Sequence, residues 1–164
     1  MDTPATADTS PPDAPVEAFD EVTISIAAPP GQVYDLVSDI SNMSRWSPET
    51  FKTQWLGGAT GPKVGAKFRG WNKDGWVRWP TVAEIVAADP GREFAFDVKA
   101  SGARWTYTLR ATDTGCDVTE RREQPHKPLG AKLFGLLLNQ KERPGTLRTG
   151  MQQTLERIKA AAEQ

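Results

Sequence analysis

Between Phe94 and Glu123 the chain alternates. Phe94, Phe96 and Val98 are separated by small or polar residues. Beyond a Ser101-Gly102 turn, Trp105, Tyr107 and Leu109 alternate with Arg104, Thr106, Thr108 and Arg110. Beyond Asp113-Thr114-Gly115, Val118 leads into the charged run Glu120-Arg121-Arg122-Glu123. A period of two sends every second side chain to one face, so each run predicts a strand with one buried face. Short turns make such strands antiparallel neighbours in a meander. The buried face is rich in large aromatics, which suits a sheet wrapped round something.

The same reading extends outward. Val22, Ile24 and Ile26 alternate within Phe19–Ala28, a strand stopped by Pro29-Pro30-Gly31. Pro30 suits the first turn of a helix, and Val33, Leu36, Val37 and Ile40 recur at helical spacing after it. Ser41 to Pro48 reads as a turn region carrying Met43 and Trp46. Strand-like segments resume at Phe51–Leu56 and Gly65–Trp71. Asn72-Lys73-Asp74-Gly75 then predicts a tight hairpin into Trp76–Val86, and Asp89-Pro90-Gly91 turns into the Arg92–Ala100 strand. Pro125 and Pro128 end the sheet. From Leu129 the pattern is helical, with Leu133, Leu136 and Leu137, an interruption at Pro144-Gly145, and then Leu147, Met151, Leu155, Ile158 and Ala162. Six or seven sequential antiparallel strands curl as they twist. The C-terminal helix is the largest apolar stripe available to cover one face. A curved sheet gripping one helix leaves a natural apolar pocket between them.

At 164 residues the chain predicts one domain, able to bury about 68–70% of its unfolded surface. Residues 1–17, rich in Pro, Ala, Thr, Ser and Asp, predict a disordered tail, and 18–164 the folded domain. The balance of 20 basic and 21 acidic residues gives no electrostatic reason to expect nucleic acid. Charge is uneven, however. The start holds Asp2, Asp8, Asp13, Glu17, Asp20 and Glu21 without a base, and residues 126–164 hold seven basic and three acidic residues; an acidic tail and a solvated helix face account for this. One cysteine, Cys116, excludes an internal disulfide and fits a reducing compartment. No apolar run approaches the ~20 residues of a bilayer span, and the N-terminus lacks the pattern of a secretory signal. The expectation is a cytoplasmic monomer or homodimer without stable membrane insertion.

Motifs follow one another in a familiar order. Ile24–Asp39 is similar to the first strand and helix of the polyketide cyclase/dehydrase-like (SRPBCC) proteins of the START and Bet v 1-like superfamily. Met43–Ser47, Val64–Asn72, Asp89–Phe94, Trp105–Tyr107, Val118–Glu120 and Gly150–Leu155 continue the resemblance over about residues 18–162. It implies an α+β helix-grip fold: a curved antiparallel sheet of six to seven strands round a long C-terminal helix, with a ligand cavity. It does not imply one activity, because the superfamily includes lipid carriers, hormone receptors, aromatase/cyclases and co-chaperone-like domains. The tail lies outside it, and the Pro144-Gly145 break departs from its regular last helix.

Motifs for chemistry are few. His126, the single histidine, lies between Pro125 and Pro128 and suits an exposed or capping role, or a place at a cavity mouth. A dyad with Cys116 has no recognisable oxyanion element beside it, and Cys116 reads as a small packing residue. One His and one Cys do not make a usual zinc site, and no motif calls for a cofactor. Gly57–Lys63 fails as a phosphate loop, because Val64 stands where Ser or Thr is needed; it reads as a strand connector. The six tryptophans, at 46, 55, 71, 76, 79 and 105, lack the basic stripe of a base-stacking surface and read as core or pocket walls.

Parity singles out two polar positions. If Val118 faces the helix, so does Glu120; if Phe68 faces in, so do Gly70 and Asn72. An inward carboxyl must be paired, hydrated or raised in pKa. Glu120 would pair with Arg122 or an arginine of a neighbouring strand, or else join Tyr107 and Asn72 in offering hydrogen bonds to a ligand. The candidate ligand-binding set is Trp46, Phe68, Asn72, Trp79, Phe96, Trp105, Tyr107, Glu120, Leu137 and Met151. Three functions fit: a carrier or sensor of a small apolar or amphipathic molecule; a cyclase or dehydratase with Tyr107 and Glu120 as acid/base candidates; or a protein-interaction domain using the outer face of the sheet.

Overall fold

The computed structural model describes residues 20–126 and 144–164. Strand β1 (Asp20–Ile26) leads to helix α1 (Pro30–Ser38), a 3₁₀ turn (Ile40–Asn42) and the single-turn helix α2 (Met43–Trp46). Strands β2 (Thr50–Leu56), β3 (Lys67–Asp74), β4 (Val77–Asp89), β5 (Glu93–Val98), β6 (Ala103–Thr112) and β7 (Gly115–Glu123) follow, and helix α3 (Pro144–Ala162) ends the fold. The sheet order is β1-β7-β6-β5-β4-β3-β2, antiparallel at each step. Six strands run as a meander, and the first strand returns to pair with the last. This is the expected helix-grip architecture. The expected tail and the helical pattern from Leu129 to Leu137 lie outside the described residues.

Local chemistry explains most boundaries. Pro30 opens α1, where its missing N–H costs nothing. Asp39 ends that helix, and its carboxylate accepts from the Ser41 backbone N–H at 3.0 Å and hydroxyl at 2.6 Å. Pro144, where the interruption is expected, is the first described residue of α3, and the segment before it lies outside the described residues. The β3–β4 hairpin differs from the sequence reading. Asn72 to Asp74 belong to β3, and the turn is Gly75-Trp76, closed by the Asp74↔Val77 pair. Gly75 has φ +54°, and such a turn wants glycine at its first central position. Trp76 is thereby left at the tip, fully exposed, and Asn72 stays on the ladder opposite Trp79.

Register shifts between Thr50 and Lys52 and between Ile85 and Ala87 bend the sheet. Its concave face receives α3, which lies chiefly along β1 and also touches α1, α2 and β7. Met151, Leu155, Ile158 and Ala162 form the buried stripe of that helix. Four polar contacts staple α3 in place. Lys159 Nζ donates to the Ser25 carbonyl at 2.8 Å, and Arg157 Nη1 to the Trp46 carbonyl at 3.1 Å. The Ala27 N–H donates to Glu163 at 2.8 Å, and Gln32 Nε2 satisfies the terminal Ala162 carbonyl at 3.0 Å.

Candidate functional site

Cross-strand register assembles the inner face in rows. One row runs Val22 (β1), Glu120 (β7), Tyr107 (β6), Phe94 (β5); the next runs Asp20, Arg122, Trp105, Phe96 and Ile85. Phe68 and Phe96 meet edge to face at 5.3 Å, Phe94 lies 5.9 Å from Phe96, and Trp55 continues the series 6.0 Å from Phe68. Such pairs add about 0.5–1.5 kcal/mol beyond area burial.

Into this aromatic wall the ladder sets one polar pair. Tyr107 and Glu120 are direct neighbours on adjacent strands, and the Tyr107 hydroxyl donates to Glu120 Oε1 at 2.8 Å. Glu120 is only 3% exposed. Its Oε2 is buried and has no hydrogen-bond partner among the described residues. Burial drives the carboxyl pKa from 4.5 up to about 8, against the lowering effect of the Tyr107 bond. Burial and the neighbouring carboxyl push Tyr107 well above the usual phenol range. At neutral pH Glu120 is mostly a neutral acid.

The pairing of Glu120 with Arg122 does not form; the partner of Glu120 is Tyr107. Arg122 is nonetheless buried on the same face, two residues along β7, and reaches Gln124 Oε1 at 3.5 Å. The sequence names it only as a partner for Glu120, although the parity that places Glu120 inside also makes Arg122 an inner-face residue in its own right.

The other candidates divide by role. Asn72 is buried, but Oδ1 accepts from Thr50 Oγ1 at 2.8 Å and Nδ2 donates to Thr81 Oγ1 at 3.1 Å, so it clasps β2, β3 and β4. Trp46 sits in the core with its indole N–H on the Leu36 carbonyl at 3.3 Å and its own carbonyl held by Arg157. Phe68, Phe96 and Met151 are buried, while Trp79 and Trp105 are half-buried. Leu137 lies outside the described residues. Cys116 is fully buried opposite Ile26 and Ala111, and burial raises its thiol pKa. His126 lies beyond the other end of β7, with Nε2 3.0 Å from Asp97 Oδ2, so no Cys-His dyad exists. Asp97 is held below the usual carboxylate range first by Arg104, which meets it through two bonds, and also by His126. No metal-holding group of His, Cys, Asp or Glu occurs among the described residues.

Two cavities among the described residues lie elsewhere. A trough of about 570 Å³ on the outer face is walled by Arg104, Thr106, Thr119 and Arg121; its Arg121 already pairs with Glu21 and Glu123. A second, of about 360 Å³, lies between the β1–α1 loop and the β6–β7 turn. Neither is the expected pocket over the aromatic wall. No described helix is long and apolar enough to cross a membrane.

A Polyketide_cyc-like protein of Corynebacterium glutamicum, solved in solution, is 34% identical over 88% of this chain and 91% of its own, with a TM-score of 0.60. Protein CV1439 of Chromobacterium violaceum is 20% identical over 88% of this chain and 97% of its own, with a TM-score of 0.67. The di-domain ARO/CYC StfQ from the steffimycin biosynthetic pathway matches over half of its own length: 15% identity, 88% of this chain, 50% of that one, TM-score 0.65. The last two likenesses speak for the fold alone. No curated protein matches the sequence. The model of the family described as polyketide cyclase / dehydrase and lipid transport matches residues 21–163. With a relative at 34% identity beside it, the chain belongs to that family.

Proposed function

We propose that the protein is a cytoplasmic carrier or sensor that binds a small apolar or amphipathic molecule between the aromatic half of the sheet and α3. One observation carries the reading: a carboxyl buried on an aromatic face with an oxygen left without a hydrogen-bond partner among the described residues. A buried polar atom of this kind costs about 1–3 kcal/mol. A fold selected for stability alone would place an aliphatic side chain there. Apolar burial would supply the binding energy, about 25 cal/mol per Å² before the costs of association. The pair of Tyr107 and Glu120 would orient the polar end, with Phe68, Trp79, Phe96 and Trp105 as walls and Met151 on α3.

The test is tryptophan fluorescence during titration with apolar ligands, beside native mass spectrometry of freshly purified protein. Trp105→Ala weakens binding, whereas Trp76→Ala, at an exposed turn tip, leaves it unchanged. Equal effects of the two substitutions, or no binding at all, would overturn the reading. The raised pKa of Glu120 also favours a second one: a carboxylic acid kept protonated near neutrality is suited to general-acid work on a polyketide-like substrate. Turnover by the purified protein, lost in Glu120→Gln, separates that enzyme from a carrier.

A further inference from the structure

The Tyr107–Glu120 pair has a direction. The phenol donates to Oε1, so Oε1 is the accepting oxygen of the carboxylic acid, and the acid's own proton belongs on Oε2. Oε2 is the atom that is buried without a partner among the described residues. The pair therefore offers the inner face one unspent donor. Its nearest row-mates, Val22 and Phe94, offer neither donor nor acceptor side chains. Among the described residues, the charged or titratable groups on this part of the face are Tyr107 on β6, Arg122 two residues along β7, and Asp20 opposite Arg122 on β1. The buried stripe of α3 adds Met151, Thr154, Leu155 and Ile158, none of them titratable. The Thr154 hydroxyl is already turned back to the Gly150 carbonyl at 2.9 Å.

A cationic ligand would need the ionised carboxylate, which burial disfavours. A ligand hydroxyl could accept from Oε2, but its own proton would then need an acceptor in an apolar wall. A carbonyl brings an acceptor and no further donor, and so matches what the wall offers. Resting on the apolar-ligand reading above, we propose that Glu120 recognises the carbonyl oxygen of a neutral hydrophobic ligand, a ketone or ester, by donating from Oε2. Ionisation of Glu120 removes that donor and sets the site against such a ligand. Recognition is then strong at neutral pH and fades in alkaline solution, since the carboxyl titrates at about 8.

The experiment compares two fluorescent probes that differ in one group: 6-propionyl-2-(dimethylamino)naphthalene and its 6-propyl analogue, which lacks the carbonyl. At pH 6.5 the ketone binds about tenfold more tightly than the analogue, the worth of one net hydrogen bond in a dry site, and its bound emission lies to the red of that in the Glu120→Ala variant. At pH 9.5 the advantage shrinks toward unity while the propyl probe binds as before. Glu120→Ala abolishes the advantage and retains the propyl probe. Glu120→Gln, whose amide can accept from Tyr107 and donate to the ligand, keeps the advantage and loses its pH dependence; this arm stands even if the alanine variant fails to fold. Equal affinities for the two probes at pH 6.5, or an advantage that survives Glu120→Ala, overturn the proposal and leave the apolar-ligand reading standing. Failure of both probes to bind overturns both.

Discussion

The inner face of the sheet has two unlike halves. Where β1, the start of β7, α1 and α3 meet, the core is mainly aliphatic and closed: Ile26, Val33, Cys116, Val118, Leu155 and Ile158 are each at most 2% exposed. Toward β3, β4, β5 and β6 the lining is aromatic, Trp79 and Trp105 are half-buried, and Asn72, Glu120 and Arg122 bring polar atoms inside. The first half is what hydrophobic burial alone produces. The second carries buried polar groups that burial alone disfavours. The contrast sets a closed aliphatic end against an end whose buried polar groups the proposed ligand reading would use.

The largest expected effect tests the closed half. Leu155→Ala or Ile158→Ala should cost about 2–5 kcal/mol in denaturant melts, because each opens a cavity in a packed interior. A cost near zero would mean that α3 is not gripped, and the comparison would fail at its stable end.

A second test addresses the polar half through pH. The folded state holds the Glu120 proton up to about 8, whereas an ordinary glutamate loses it at 4.5. The fold therefore binds more protons than the unfolded chain between those values. Stability from this group is fully present below 4.5 and falls as pH rises through about 8, by up to about 1.4 kcal/mol per unit. Urea melts at a series of pH values should show this slope, and Glu120→Gln should flatten it. A slope unchanged by the substitution would place the titration elsewhere.

Smaller effects sharpen the boundary. Asn72→Ala should cost about 1–2 kcal/mol, since it strips the partner from Thr50 and Thr81. That loss should appear in thermal melts without a change in preference between the two naphthalene probes; a changed preference would make Asn72 a part of ligand recognition and not only a clasp between strands. Smallest of all, Trp76→Ala should stay within about 0.5 kcal/mol, as expected for a fully exposed side chain.

Much of the fold was legible because periodicity is a local property. Alternation along Trp105, Tyr107 and Leu109 located a strand face, and the spacing of Met151, Leu155 and Ile158 located the helix stripe that packs on it. Turn chemistry was legible in kind but not in register. The Asn72–Gly75 cluster announced a hairpin, yet the positive φ available to Gly75 decided that Trp76 would sit in the turn.

The candidate site was legible only as a set of inward positions. Parity told that Glu120 and Tyr107 face the same way. That they stand opposite each other depends on the pairing of β6 with β7, and on Gly115 closing the turn between them. The sequence by itself determined the strands, the helix stripe, the inward face and the family, because each rests on residue type and spacing along one segment. The tertiary structure alone decided that Glu120 takes Tyr107 rather than Arg122 as its partner, that Asn72 is already engaged, and that one carboxyl oxygen is buried without a partner among the described residues. Those outcomes depend on which side chains from different strands come within about 3 Å of one another, and no spacing along the chain encodes that distance.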